Sequence, residues 1–199
     1  MHDISLGITI RDYLTDEEIE STTFEDLRQG LARFMVEELG YPKDRLKPRV
    51  AVTIPIDGKE YSRLADLMAF SESGEPLLLA MFCAGEVSTY VRESVAAARL
   101  YHEQPVPLTV VTDSKDAILV ATATGKELGR SMHAIPRYAD LQGLAGAHPI
   151  EPLPENQAEK ECRILYAYTE TLYKCCSFAA CTAQSKGAGF SETGDGEGE

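Results

Sequence analysis

The chain has 199 residues, 44% of them hydrophobic, and a formal net charge of −13 at pH 7. This length suffices for one domain with a full hydrophobic core and terminal appendages. No basic region followed by an apolar run opens the chain, and no later stretch reaches the ~18 apolar residues of a membrane span. We therefore expect a cytoplasmic protein without a membrane partner.

The first predicted element is a short helix. Thr15 and Glu18 have the spacing of a capping box, in which a hydroxyl and a carboxylate satisfy the first N–H groups of a helix. This pattern predicts an N-terminal acidic helical segment, residues 1–23.

A longer helix follows, from about residue 24 to residue 39. Thr22 or Thr23 supplies its cap and Gly40 ends it. Glu38 falls within the apolar stripe of this helix on a 3.6-residue wheel. Because burying an unpaired carboxylate is costly, Glu38 is a candidate functional residue. The alternative is an exposed position in a frayed last turn.

After residue 42 the hydrophobic period changes from 3.6 to 2, which indicates strands. Residues 50–56 alternate between apolar and other side chains, and Asp57-Gly58 predicts a tight hairpin turn. The second strand of this hairpin, about residues 60–70, carries Asp66. The third strand, residues 77–84, is apolar on both faces and is typical of the centre of a covered sheet.

The remaining pattern completes an α/β domain. An α/β core is predicted over residues 24–145, a connector and C-terminal helix over 146–184, and a disordered acidic tail over 185–199. The further predicted elements are a helix at 89–103, strands at 108–112 and 117–122, a short helix at 137–144 and a last helix at 157–176.

Five short segments carry a likeness to a known family. They read Asp-Tyr-Leu-Thr at 12–15, Ala-Arg-Phe-Met-Val-Glu-Glu-Leu-Gly-Tyr-Pro at 32–42, Arg-Leu-Ala-Asp-Leu at 63–67, Pro-Leu-Leu-Leu at 76–79 and Pro-Leu-Thr-Val-Val-Thr at 107–112. In this order and spacing they resemble the N-terminal nuclease-like domain of type I restriction enzyme R subunits, particularly the small stand-alone bacterial forms.

The resemblance covers roughly residues 10–145 and implies a restriction-endonuclease-like, PD-(D/E)XK core. In that core a central mixed sheet of about five strands is flanked by helices, and Glu38 and Asp66 converge on Mg²⁺. The family pattern has Glu-X-Lys on the third strand, where this chain has Met81-Phe82-Cys83. Mg²⁺ takes oxygen ligands and the lysine helps to activate water, and neither a thioether nor a thiol suits these tasks.

Our main interpretation is a catalytically degenerate protein that keeps the fold. Glu38 and Asp66 are then vestigial catalytic and metal positions, where we expect weak or absent metal binding and no bound cofactor. The protein acts in this interpretation as a DNA- or protein-binding module, with DNA or other restriction subunits as partners.

Two other interpretations stay open. In the first, Glu86 or Glu93 replaces the missing carboxylate, Mg²⁺ is the cofactor, and the protein is an active endonuclease. Arg92, Arg99 or Lys115 would then stand in for the lysine, although the helical spacing favours a solvent-facing Glu93. In the second, the chain is a pure protein-interaction domain that uses the apolar face of its last helix.

The candidate DNA contacts come from the distribution of charge. Residues 1–41 carry ten acids and three bases, whereas residues 42–66 carry six bases and four acids. A local basic surface is what phosphate binding requires, although a solvated strand edge explains the excess equally well. The candidate contacts are Lys43, Arg45, Lys47, Arg49 and Arg63.

Overall fold

The computed structural model describes residues 5–83, 85–101 and 104–168. A small hairpin precedes a six-stranded mixed sheet, in which the strands lie in sequence order, and four helices flank the sheet. The predicted α/β class is confirmed, with one strand more than expected. The hairpin strands are β1 (Ser5–Arg11) and β2 (Glu18–Thr22). The sheet strands are β3 (Leu46–Ile56), β4 (Lys59–Phe70), β5 (Pro76–Phe82), β6 (Leu108–Thr112), β7 (Ala117–Ala121) and β8 (Lys126–Arg130). The helices are α1 (Thr23–Glu37), α2 (Val87–Leu100), α3 (Tyr138–Ala147) and α4 (Glu155–Tyr168).

The predicted acidic helix in residues 1–23 is wrong, because this region forms the β1–β2 hairpin. Asp12 explains the difference. Its Oδ1 accepts hydrogen bonds from the backbone N–H groups of Leu14 and Thr15, at 2.8 and 3.0 Å, and so builds a turn. Side chains of this kind compete with helix formation by bonding nearby backbone groups. The β-branched residues on either side then favour strands.

The hairpin predicted around Asp57-Gly58 is confirmed. Both residues have positive φ, 49° and 75°, as the tight turns that match strand twist require. β3 lies at the edge of the sheet and tolerates Pro55 there. β5 pairs antiparallel with β4 and parallel with β6, and all of its residues are buried. The prediction of a covered central strand is therefore also confirmed.

Two apolar clusters cover the two faces of the sheet. Helices α1 and α3 pack on one face, through residues that include Leu31, Met35 and Leu141. Helices α2 and α4 pack on the other, through residues that include Ala96, Ala97 and Leu165. β5 contributes Leu78 to the first cluster and Leu79 to the second, as alternation along a strand requires.

The β3–β4 hairpin changes face at Asp66. Leu67 packs in the α1 cluster, whereas Ala65, two residues earlier, packs in the α2 cluster. Residues two apart on a regular strand share a face. The register pairs Pro48 with Leu67 and Val50 with Ala65, so Arg49, with φ of 52°, lies opposite Asp66 at this bend. The fold thus places Asp66 at a local distortion beside the centre of the sheet.

The N-cap residue of α2 is Glu86, whose Oε1 accepts a hydrogen bond from the Ser88 hydroxyl at 2.9 Å. The last predicted helix begins near its expected position, and its predicted part beyond residue 168 lies outside the described residues, as does the predicted acidic tail. None of the helices in the described ranges is long and apolar enough to cross a membrane.

Candidate functional site

The carboxylate of Asp66 is bonded to the neighbouring strand. Its Oδ2 accepts a hydrogen bond from the backbone N–H of Phe82 at 2.7 Å. The pKa of Asp66 is raised to about 6, chiefly by burial; the charge of Glu93 acts in the same direction, and the Phe82 hydrogen bond and the charges of Arg63 and Arg28 act in the opposite one. Asp66 therefore stabilises strand pairing in this structure.

Met81 and Cys83 occupy β5 and the residue that follows it. The β4–β5 register pairs Leu67 with Ala80, so one further step sets Asp66 opposite Met81. Met81 is buried in the apolar cluster under α2. The thiol of Cys83 is also buried and lies 3.7 Å from the Gly85 carbonyl oxygen. Burial raises the pKa of Cys83 to about 12, so the thiol stays neutral at physiological pH.

Glu38 does not lie on the core face, and the expected convergence with Asp66 is absent. Its side chain is exposed at the C-cap of α1, and its backbone carbonyl accepts a hydrogen bond from Arg137. The α1 residue whose charge acts on Asp66 is Arg28. Glu38 lies ten residues further along the chain, about 15 Å along a helix axis. The exposed, frayed-turn alternative is the correct one.

The α1 carboxylate that lies in a buried polar network is Glu25. Its carboxylate accepts hydrogen bonds from Arg28 and, at 2.8 Å, from Gln29. Asp12 lies in the same network, with its Oδ2 2.5 Å from Arg28 Nη2, and Arg49 lies 3.8 and 3.9 Å from the two carboxylates. Sequence reasoning missed Glu25 because it sits in the first turn of α1, where an acid is expected for capping and dipole reasons alone.

Glu93 is fully buried, so the prediction that it faces solvent is wrong. Its Oε1 accepts a hydrogen bond from Arg63 Nε at 2.7 Å. Its Oε2 is buried and has no hydrogen-bond partner in the structure. The helical wheel misplaced Glu93 because it assumed that only apolar residues face the sheet, whereas Arg63 on β4, which is partly buried, supplies a counter-charge. Glu93 and Asp66 thus share one electrostatic environment with Arg63.

Three of the other residues considered for a migrated site are engaged elsewhere, and the fourth, Lys115, lies exposed in the turn between β6 and β7. Glu86 is exposed and pairs with Arg130 at 2.9 Å. Arg92 and Arg99 both bind the carboxylate of Glu161 on α4, at 2.6 and 2.7 Å.

One family model matches the chain over residues 24–136, and its description is type I restriction enzyme R protein N terminus. The match spans more than half of the chain, from α1 to the end of the sheet. The protein belongs to this family. No curated protein and no solved structure gave a match.

A divalent cation of the kind implied by the restriction-enzyme family does not fit the residues at the bend. Asp66 uses one oxygen for the Phe82 N–H, and the neighbouring Met81 and Cys83 offer sulfur, which Mg²⁺ does not favour. Within residues 5–83, 85–101 and 104–168, no group of three or more His, Cys, Asp or Glu side chains is placed to hold a metal ion.

The five predicted DNA contacts of this R-protein domain already have partners within the chain. Arg49 lies in the Asp12–Glu25 network, and Arg63 binds Glu93. Lys43 donates to the Tyr13 carbonyl at 2.9 Å, and Lys47 lies 4.6 Å from the centre of the Phe70 ring. Arg45 donates to the Glu72 carbonyl at 3.1 Å. Of the five side chains, those of Lys43 and Lys47 belong to exposed residues.

Proposed function

We propose that this protein is a non-cleaving member of the type I restriction R-protein N-terminal family, which keeps the domain as a binding module. The observation that carries the proposal is the pair Met81 and Cys83, buried where the family pattern has Glu and Lys. Removing a metal ligand and the group that assists water together weakens both the Lewis-acid stabilisation of the phosphate charge and the activation of the attacking water. The loss of either normally costs several orders of magnitude in rate.

The arrangement around Asp66 supports the same conclusion. Arg63 supplies a positive charge between β4 and α2 through its partly buried ion pair with Glu93. The charge of Arg28, which itself pairs with Asp12 and Glu25, also acts on Asp66 from the α1 side. Positive charge near Asp66 thus comes from guanidinium groups of the chain.

A plasmid-nicking assay tests this proposal. Supercoiled DNA is incubated with the purified full-length chain in Mg²⁺ or Mn²⁺, beside the Asp66→Ala variant from the same preparation. We expect the two proteins to give equal, background nicking. Nicking that disappears in Asp66→Ala would overturn the proposal, because contaminating nucleases do not depend on Asp66.

One observation favours a second candidate, the endonuclease with a migrated carboxylate. Glu93 is buried, close enough to Asp66 to raise its pKa, and has one oxygen without a hydrogen bond. A cation bound by both carboxylates would have to displace Arg63 from Glu93. Nicking abolished in both Asp66→Asn and Glu93→Gln would establish this candidate, whereas nicking unaffected by Glu93→Gln would dispose of it.

For the retained binding role, the charges favour a protein over DNA. The side chains proposed to contact DNA interact with carboxylates, carbonyl groups and aromatic rings within the chain. The formal net charge of the whole chain is −13. A DNA-binding surface releases counterions, so its affinity falls steeply with salt. Fluorescence anisotropy with a labelled duplex should show no salt-dependent binding, and a Lys43→Glu/Lys47→Glu variant should match the wild type. Tight binding that this variant loses would restore the DNA role.

A further inference from the structure

The β1–β2 hairpin is an addition to the family-matched part of the chain. It ends at Thr22, and the match begins at residue 24. Six of the seven residues of β1 are exposed, and among the described residues no third strand pairs with either of its strands. We refer to residues 5–22 as the N-terminal arm. The arm exposes far more of its surface than the strands of the central sheet do.

The arm is held rigidly at its turn. The buried carboxylate of Asp12 bonds the turn's own backbone and the side chains of Arg28 and Gln29 on α1. Gln29 Oε1 accepts a hydrogen bond from the Tyr13 N–H at 2.8 Å. Thr22, at the other end, caps α1 by accepting from the Glu25 N–H at 3.1 Å. A surface fixed in this way loses little conformational entropy on binding.

The arm displays two large apolar side chains. Leu6 is 45% exposed and Ile8 is 58% exposed, and the third large exposed hydrophobic residue in the described ranges, Leu64, lies on β4. The register of β1 with β2 shifts between Ser5 and Thr9, and Gly7 has φ of 67° at this bulge. A bulge aims side chains away from the regular pleat. Two apolar residues within three positions of an exposed strand mark a contact surface better than a scattered residue does.

The charges of the arm define the chemistry of the partner. The arm carries four exposed acids against one exposed base, Arg11. The acids are Asp16, Glu17, Glu18 and Glu20. Like charge repels the phosphates of nucleic acid. A second copy of this chain, with −13 of its own, is also disfavoured.

We propose that the N-terminal arm docks on another protein, at an apolar cleft rimmed by lysine or arginine side chains. Leu6 and Ile8 fill the cleft, and the acids of the turn and β2 pair with the basic rim. This inference takes up the binding role proposed above, but it does not depend on the loss of cleavage.

Site-specific photo-crosslinking in the organism that makes the protein tests the docking surface. A photoreactive phenylalanine replaces Ile8 in the full-length chain, and a matched probe replaces Leu64, which is equally apolar and 46% exposed. We expect the probe at position 8 alone to give one protein adduct, whose crosslinked peptide lies beside lysine or arginine residues. No adduct at position 8, an adduct to a second copy of the chain, or the same adduct from position 64 would overturn the proposal.

Binding to the purified crosslinked protein provides the quantitative arm of the test. We expect Ile8→Lys and Glu17→Lys/Glu18→Lys to weaken binding at least tenfold and Leu64→Lys to leave it unchanged. All three variants should keep the far-ultraviolet circular dichroism of the wild type. Equal weakening by Leu64→Lys would overturn the proposal. Because plasmid nicking is scored separately, a failure here is distinguishable from a failure of the non-cleaving assignment.

Discussion

The carboxylate of Asp66 accepts a hydrogen bond from the backbone N–H of Phe82, 2.7 Å away across the β4–β5 junction. This bond ties a position that the family pattern assigns to metal binding to the pairing of two central strands. Asp66 is retained here in a structural setting, which makes its effect on stability measurable independently of any activity.

The pH dependence of folding should reveal Asp66. Its pKa is raised from 3.8 to about 6 by burial. Between these values the folded protein holds a proton that the unfolded chain releases, so stability falls as pH rises from about 4 to 6. Urea unfolding at pH 4 and pH 7 measures this effect. From the lower to the higher pH, the free energy of unfolding should fall by about 1–3 kcal/mol more for the wild type than for Asp66→Asn, whose side chain does not titrate. Parallel pH curves for the two proteins would contradict the assigned environment.

Asp12 should have the opposite effect on the pH dependence of stability. Burial acts to raise its pKa, but the hydrogen bonds from Arg28 and from the backbone of Thr15 and Leu14 prevail and lower it to about 2. A lowered pKa stabilises the folded state above the ordinary value of 3.8, and this stabilisation disappears as pH falls towards 2. Asp12→Asn should therefore be less stable than the wild type by about 2 kcal/mol at pH 7, and the difference should shrink below pH 4. A difference that stays constant down to pH 2 would rule out an electrostatic origin.

The attachment of α4 should depend on Glu161. Its carboxylate binds Arg92 and Arg99 of α2 and is itself nearly buried. Glu161→Gln leaves two guanidinium groups without their anion. We expect the free energy of unfolding to fall by about 2 kcal/mol, a figure kept low because Arg92 is partly exposed and its charge is screened by water. Amide hydrogen exchange should accelerate in α4 before the central sheet.

Glu159→Gln is the matched control for this prediction. Glu159 lies on the same helix and pairs with Arg163 at 2.8 Å, but both side chains are exposed. Such exposed i,i+4 pairs contribute little to stability because water screens the two charges. An equal effect of the two substitutions would mean that Glu161 does not clamp the helix.

Restoring the family's carboxylate on β5 should damage the protein. Met81→Glu places an acid in the apolar cluster under α2. We expect the free energy of unfolding to fall by about 3 kcal/mol or more at pH 7, and by less at pH 4, where the new carboxyl is protonated. Met81→Leu, which conserves volume, should cost less than about 1.5 kcal/mol. Differential scanning fluorimetry at both pH values measures both effects. A Met81→Glu variant as stable as the wild type would indicate a water-accessible cavity beside β5.

The sequence predicted most of the sheet because its signals are local. Alternation marked β3 and β4, the Asp-Gly turn fixed their register, and the continuous apolar run placed β5 at the centre. β8 was missed because four of its five residues are charged or glycine, and the single apolar residue, Leu128, offers no alternation. The helix expected near Thr15 failed because a buried aspartate, Asp12, binds the backbone there, and burial is not visible in a local pattern.

The candidate site was harder to predict because it depends on contacts between distant segments. Asp66 was placed correctly at a central junction from the hairpin alone. Glu38 was misplaced because the wheel treats a helix as regular to its end, whereas α1 ends at residue 37. Glu93 was misplaced because its partner, Arg63, lies thirty residues earlier in the chain. No window of single-sequence periodicity spans that separation.

The complete burial of β5 has a consequence for the evolution of this protein. A return to Glu-X-Lys would require a charged residue at both position 81 and position 83. One of these substitutions would have to become established before the other. Either single reversion buries an unpaired charge beside residues that are fully enclosed, at a cost that marginally stable proteins rarely survive. Under the proposed loss of cleavage, a central strand that has packed without polar side chains makes a return to activity difficult, and selection then acts on the surfaces of the domain.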